Sequence, residues 1–330
     1  MTLILATETN PGNAQWVNPA AISGISFPWY GSGKDGPQNV ADTGLLSPYP
    51  TENTTLQAIN CGIGTLYGWS NHLDLAATES IILEDCELCC IGLEGNDAFN
   101  ELGGIGGISA GGAQPGLDGK QATTLAGTSV TSDTAANFCD PSNSGNRTPS
   151  GSGGSSGANA GGTGGSDSDF VEFNYFPPFR TLYMGGMAPA YPISLGGYGG
   201  AAGAGDGVNL GGGGGGGGSS GGAICLRAPV ITLTNVALGA FGESGGAGGA
   251  SSGGNAAGGG GGGGGCGGII IFVAETLNLT GVTYNVTGGD GGTGGAGSGT
   301  GESGVPGADG NPGIVYWYRP STNTWVDLLD

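Results

Sequence analysis

Residues 289–313 read Gly-Asp-Gly-Gly-Thr-Gly-Gly-Ala-Gly-Ser-Gly-Thr-Gly-Glu-Ser-Gly-Val-Pro-Gly-Ala-Asp-Gly-Asn-Pro-Gly. Every third position from Gly289 to Gly313 is glycine, apart from Ser298. Three residues per turn is the period of the polyproline II helix, which has no internal hydrogen bonds. Glycine at every third place gives such a helix one bare edge, along which neighbouring backbones can approach and exchange N–H···O=C bonds. A weaker pattern of the same kind runs through Gly104, Gly107, Ala110, Ala113, Gly116 and Gly119. A collagen triple helix shares the period, but the regular stretch is short and its only prolines are Pro306 and Pro312.

The segment before this stretch reads differently. In Thr276-Leu277-Asn278-Leu279-Thr280 the leucines alternate with polar residues, and after Gly281 the alternation resumes in the other phase through Val282–Thr287. Alternation predicts half-buried strands. A phase change at glycine predicts a bend between them. Ile269-Ile270-Ile271-Phe272-Val273 is apolar throughout, which suits a strand covered on both faces.

Repeats tie these pieces together. At an offset of 46 residues, 211–218 falls on 257–264, Ile224 on Ile270, Leu233 on Leu279, and Gly242 on Gly288. At an offset of 150, Ile81, Leu83, Leu88 and Gly95 fall on Ile231, Leu233, Leu238 and Gly245. The unit is glycine run, strand, corner, strand, glycine run. A partial last unit, Gly313-Ile314-Val315-Tyr316-Trp317-Tyr318, is expected to cap the stack. The predicted fold is all-β: a repetitive β-solenoid or sandwich-like stack with glycine-rich polyproline/polyglycine-II-type layers and no long helices. Three regions are expected. Residues 1–58 form an N-terminal attachment or capping segment. Residues 59–195 form a first β and glycine-rich region with an aromatic loop at 170–192. Residues 196–330 form a repetitive glycine-rich β region with a C-terminal cap.

Composition narrows the classes. The 330 residues include 80 glycines, and so much glycine first suggests disorder. Yet 37% are hydrophobic and only 10% charged, unlike a solvated coil. Ordering a backbone costs roughly 1–2 kcal/mol per residue, and glycine loses the most. The tracts therefore either stay as loops or pack with every buried backbone group paired. The threefold period and the low charge favour packing. The run 211–218 has no side chains to read, so both outcomes stay open there. Six Lys+Arg against 26 Asp+Glu give a net charge of -20, which excludes a phosphate-neutralising surface and hence nucleic acid. No apolar run is long enough for membrane insertion as a helix. The N-terminal residues have no basic region before their short apolar run, so no secretory signal is expected.

The search for chemistry predicts no enzyme and no cofactor. Seven cysteines are scattered and odd in number, and Cys86, Cys89 and Cys90 have no histidine cluster beside them. They are expected to be small buried residues on a strand rather than a metal site. His72 is the only histidine and so the only candidate base for a serine nucleophile. Glu84, Asp85, Glu87, Glu94 and Asp97 form an acidic cluster whose paired carboxylates could cleave glycosides, but they are read first as a solvated strand edge. Phe170–Tyr191 is different. It holds Phe173, Tyr175, Phe176, Phe179, Arg180 and Tyr183 among prolines that forbid a helix. Aromatics and Arg dominate binding hot spots. This segment is the expected receptor-binding site, with a local core over the glycine tracts as its alternative role.

The glycine runs at 211–218, 258–265 and 289–313, alternating with short β segments in an acidic, Lys-poor chain, resemble bacteriophage glycine-rich tail-fibre proteins. The similarity is strongest to the distal adhesins of T-even-type long tail fibres and extends over about residues 100–313. Trp16-Val17-Asn18-Pro19 is also similar to a phage pattern. In those adhesins packed polyglycine-type helices form a scaffold, and variable loops bind a host receptor. Here strands such as 269–287 occupy the places of such loops. The resemblance implies a virion fibre or adhesin, made in the host cytoplasm and extracellular when functional. Its implied partners are other virion proteins, a host surface receptor or glycan, and further copies of itself, as in a trimer. The alternatives are a purely structural virion component, such as a capsid decoration or filament subunit, and a polysaccharide depolymerase.

Overall fold

The computed structural model describes residues 30, 33, 35–41, 51–59, 62–64, 72–106, 116–130, 150–165, 196–322 and 324–329. Among the described residues the chain is all-β and contains no helix. Its strands are β1 (Gln38–Ala41), β2 (Thr51–Ile59), β3 (Gly62–Gly64), β4 (His72–Glu84), β5 (Glu87–Cys89), β6 (Ala223–Arg227), β7 (Val230–Thr234), β8 (Ala237–Gly239), β9 (Ile269–Val273), β10 (Thr276–Thr280), β11 (Thr283–Asn285), β12 (Ile314–Arg319) and β13 (Thr324–Asp327). The larger sheet has nine strands, with the path β1-β2-β4-β6-β9-β12-β13 and with β7 and β10 continuing beside β4, and it curls as a half-barrel. The smaller sheet is β11-β8-β5-β3.

Every pairing is parallel except β12 with β13. The sequence repeats are the registers of these pairings. Ile224 lies beside Ile270 and Leu233 beside Leu279. Ile81, Leu83 and Leu88 lie beside Ile231, Leu233 and Leu238. A repeat that places like residues side by side keeps each apolar column continuous, so one slip would turn every leucine outward. The bend expected at Gly281 recurs at equivalent places. Asp85, Asn235 and Gly281 have φ of 51°, 52° and 63°. That left-handed region is open to Gly and tolerated by Asn and Asp. Asn235 Nδ2 also donates to Asp85 Oδ1 at 3.1 Å, linking two successive corners.

The main core lies on the inner faces of the strands and includes Leu56, Leu73, Leu75, Ile81, Leu83, Ile224, Leu226, Ile231, Ile270 and Phe272. All residues of β6 and β9 are buried, as the unbroken apolar run of β9 predicts. On their other face Ala223, Cys225, Ile269, Ile271 and Val273 form a second cluster with Tyr318 of β12. Beside it Arg227 Nε and Nη2 donate to Asp74 Oδ1 and Oδ2, both at 2.8 Å, as a buried two-pronged ion pair. The β12–β13 hairpin closes the nine-stranded sheet: Trp325 stacks on Tyr318 with centroids 4.5 Å apart, and Trp317 Nε1 donates to Ala274 O at 2.9 Å. Trp16 and Trp29 lie outside the described residues.

Between the strands, the glycine-rich tracts run out from the sheets and back as extended segments. Residues 256–268 show how they bond. Gly258, Gly261, Gly264 and Gly267 donate to the carbonyls of Glu302, Val305, Ala308 and Asn311. Gly259, Gly262, Gly265 and Gly268 donate to those of Gly249, Gly246, Glu243 and Ala240. Ala257, Gly260 and Gly263 donate to Ala204, Ala201 and Tyr198. Donors thus rotate through three neighbours with a period of three residues. The same segment accepts bonds from residues 151–154, 212–218 and 289–295. Among the described residues, segments 196–205, 210–222 and 256–268 each bond to six others, and the remaining segments surround them.

This arrangement explains the glycine content residue by residue. The run 211–218, which has no pattern in sequence, donates by turns to residues 257–263, 96–100 and 117–123. It is buried throughout. With neighbours on all sides, no position can carry a side chain. At the edge, 288–296 repeats intermediate, buried, exposed, and only its exposed places hold Asp290, Thr293 and Ala296.

Candidate functional site

Phe173, Tyr175, Phe176, Phe179, Arg180 and Tyr183 lie outside the described residues, as do Cys61 and Cys139. The next aromatic among the described residues, Tyr198, is 1% exposed and packs over Gly165. His72 begins β4, where its backbone is in register with Ala223. The acidic residues Glu84, Asp85, Glu87, Glu94 and Asp97 are all exposed. Asp97 accepts a bond from Ala247 N at 2.7 Å, and Asp85 accepts one from Asn235, so two of the five serve the stacking of adjoining segments. Burial, with the repulsion of Glu94 adding to it, raises the carboxyl pKa of Glu243.

Cys86, Cys90, Cys225 and Cys266 are buried, but Cys86 and Cys90 flank β5 rather than lie on it, and Cys89, which does lie on it, is only half-buried. Burial pushes the Cys89 thiol up to about 11, with the Glu87 carboxylate adding to it, and it pushes Cys225 up further. Thiols held protonated in this way are poor nucleophiles and poor metal ligands. No group of three or more His, Cys, Asp or Glu suited to a metal ion occurs among the described residues.

The feature that sequence reasoning missed is at the far ends of the glycine segments, where they turn. The turns at 99–102, 123–126 and 206–209 adjoin. Ala122 N donates to Glu101 O, Gly207 N to Thr124 O, and Gly205 N to Leu125 O. These three turns display Phe99 (74% exposed), Leu102 (49%), Leu125 (59%) and Val208 (84%). Single apolar residues among small and polar neighbours carry no periodic signal. What marks them is position: each follows or precedes a turn residue at the end of a tract.

A polar mesh links the 206–209 turn to Asn255, Thr300 and Ser156. Asp206 accepts bonds from Val208 N, Asn209 N and Asn209 Nδ2 within its own turn and from Asn255 N of the next, at 2.7–3.2 Å. Asn255 Oδ1 accepts from Thr300 N at 3.1 Å, and Asn255 O accepts from Ser156 Oγ at 2.7 Å. The donors around Asp206, the Asn209 backbone first, hold its carboxyl well below the usual carboxylate range. A depressed folded pKa contributes order that is present above the unfolded Asp pKa of about 3.9 and is lost as pH falls toward the folded value. Amide exchange at Val208, Asn209 and Asn255 is therefore expected to be slow at pH 5 and to accelerate, relative to 215–218, as the pH is lowered below about 3. Equal acceleration at both places would show that Asp206 does not order the turns.

No protein-family model matches the chain, and no curated protein or solved structure matches it.

Proposed function

We propose that this chain is a non-enzymatic bacteriophage fibre or adhesin protein that binds a host cell surface without covalent chemistry. In this reading the parallel strands form a β-solenoid, and the glycine segments pack as polyglycine II-type layers that extend from it. The observation that carries the reading is the junction of two features: a backbone array bonded in three directions, and large apolar side chains exposed on the turns at its ends. A stiff support that presents Phe99, Leu125 and Val208 loses little entropy on binding. It therefore suits repeated weak contact with a surface.

The alternative of a filament subunit is disfavoured by the edge segment 301–313. Glu302 and Val305 donate to Ser155 and Ser152, while Gly304, Gly307, Gly310 and Gly313 donate to Gly295, Gly292, Gly289 and Val286. The remaining phase is Ser303, Pro306, Asp309 and Pro312, all exposed. Two of these four have no N–H to offer a further copy, and a third is charged.

Labelled protein is expected to bind cells of a susceptible bacterial strain, and Phe99→Ser with Val208→Ser is expected to weaken that binding about tenfold or more. Antibody to the chain is expected to decorate phage particles in electron micrographs. Full binding by the double variant would remove the turns from recognition, and particles without label would remove the virion assignment.

A further inference from the structure

Two apolar columns of the nine-stranded sheet end uncovered. Ile81 lies beside Ile231 and Leu83 beside Leu233, and these four side chains are fully buried. Leu277 and Leu279 continue the columns on β10 but are only half-buried, and no described strand follows β10. Thr276 N donates to Pro229 O on the β7 side. Backbone groups alternate sides along a strand, so the N–H and C=O of Leu277 and Leu279 lie on the open edge. β10 has neither charge nor proline, the usual guards of such an edge.

We propose that Thr2-Leu3-Ile4-Leu5-Ala6 of the same chain pairs with this edge as a further parallel strand. Three observations choose this occupant. The first is pattern. Segments 80–84, 230–234 and 276–280 each carry apolar residues at their second and fourth places, and 2–6 repeats this, setting Leu3 beside Leu277 and Leu5 beside Leu279. The second is the path of the chain. Residues 1–29 lie outside the described residues, and the chain traced backward from β1 leads to this edge. Gly36 O accepts from Thr54 N on β2, Gly33 lies against Thr54 and Thr78, and Tyr30 Oη donates to Glu275 Oε1 at 3.4 Å. Glu275 is the residue before β10. Residues 7–29 can span about 75 Å when extended, against about 17 Å for β10, so 2–6 reaches the edge with chain to spare. Gly24-Ile25-Ser26-Phe27-Pro28 also alternates, but as a parallel strand it would end about 17 Å from Glu275 with only Trp29 to lead back to Tyr30. The third is the β12–β13 hairpin, which stands two strands beyond β9. It blocks a second copy from lying flat over this end and leaves room beside β12 for a single strand.

The test uses the full chain. Ile4→Cys with Asn278→Cys places two thiols on outward positions of adjacent strands, about 5 Å apart and within reach of a disulfide. After mild oxidation, the monomer-sized band of a non-reducing denaturing gel is expected to yield the peptide joining 4 to 278. It should be about tenfold more abundant than the peptide joining 4 to 232 in the Ile4→Cys, Thr232→Cys chain, where a strand intervenes. Hydrogen exchange needs no cysteine. The Leu277 and Leu279 amides are expected to exchange about tenfold or more slowly in the unaltered chain than in a Leu3→Asp, Leu5→Asp chain, while the Asn278 amide, on the β7 side, changes little. Fast exchange of Leu277 and Leu279 in the unaltered chain overturns the proposal. A joined peptide found only in dimer-sized bands would assign the edge to a second copy, and preferential joining of Ile4→Cys to Val326→Cys would place the segment beside β13. Either result also overturns it.

Discussion

Gly262→Ala is expected to destabilise the protein by roughly 3 kcal/mol, the upper end for overpacking a dense interior. A Cβ at Gly262 would stand 2.0 Å from the carbonyl oxygen of Gly216 and 2.5 Å from its carbon. Gly216 has little freedom to yield. Its N–H donates to Asn96 O, and its own carbonyl already accepts from Gly246 N. The methyl therefore meets backbone that is pinned from two further segments, and relief at one contact breaks bonds at others. Thr293→Ala, on the exposed phase of 286–297, is expected to change stability by no more than about 0.5 kcal/mol. Urea denaturation of the two variants checks this. Equal stabilities would mean that the glycine segments are not in contact in solution.

Breaking the Asp74–Arg227 pair from one side is expected to cost about 3–5 kcal/mol, because the remaining charge stays buried without its counter-ion. The two side chains are 10% and 8% exposed. Both Asp74→Ala and Arg227→Ala should show the loss. Asp74→Leu combined with Arg227→Met should recover most of it, since a buried ion pair gains little over apolar residues of similar volume. A denaturation cycle over the four proteins measures the coupling. A double variant as unstable as the single ones would show that the pair serves another contact on that face of β4 and β6.

The strands of this protein are written in local pattern. Leu277 and Leu279 alternate with polar residues, and Gly281 marks the corner where the phase changes. The 46-residue offset is the register of β6 with β9 and of β7 with β10. Copies of a repeat that bury the same columns of side chains must lie side by side, so the pairing is recoverable from one chain. The candidate site was less legible. Phe99, Leu125 and Val208 are isolated in sequence, and only the adjoining of three turns makes them one surface.

The glycines divide the two kinds of information most clearly. By itself, the spacing in 289–313 determined a three-residue period and one bare edge. It did so because an edge segment still carries side chains on the phases that face water, and those side chains display the period. The runs 211–218 and 258–265 had no such display. Only the tertiary structure decided their state, by placing six neighbouring segments around each. A backbone bonded on every side excludes side chains at every position, and so erases the pattern from which its conformation would have been read.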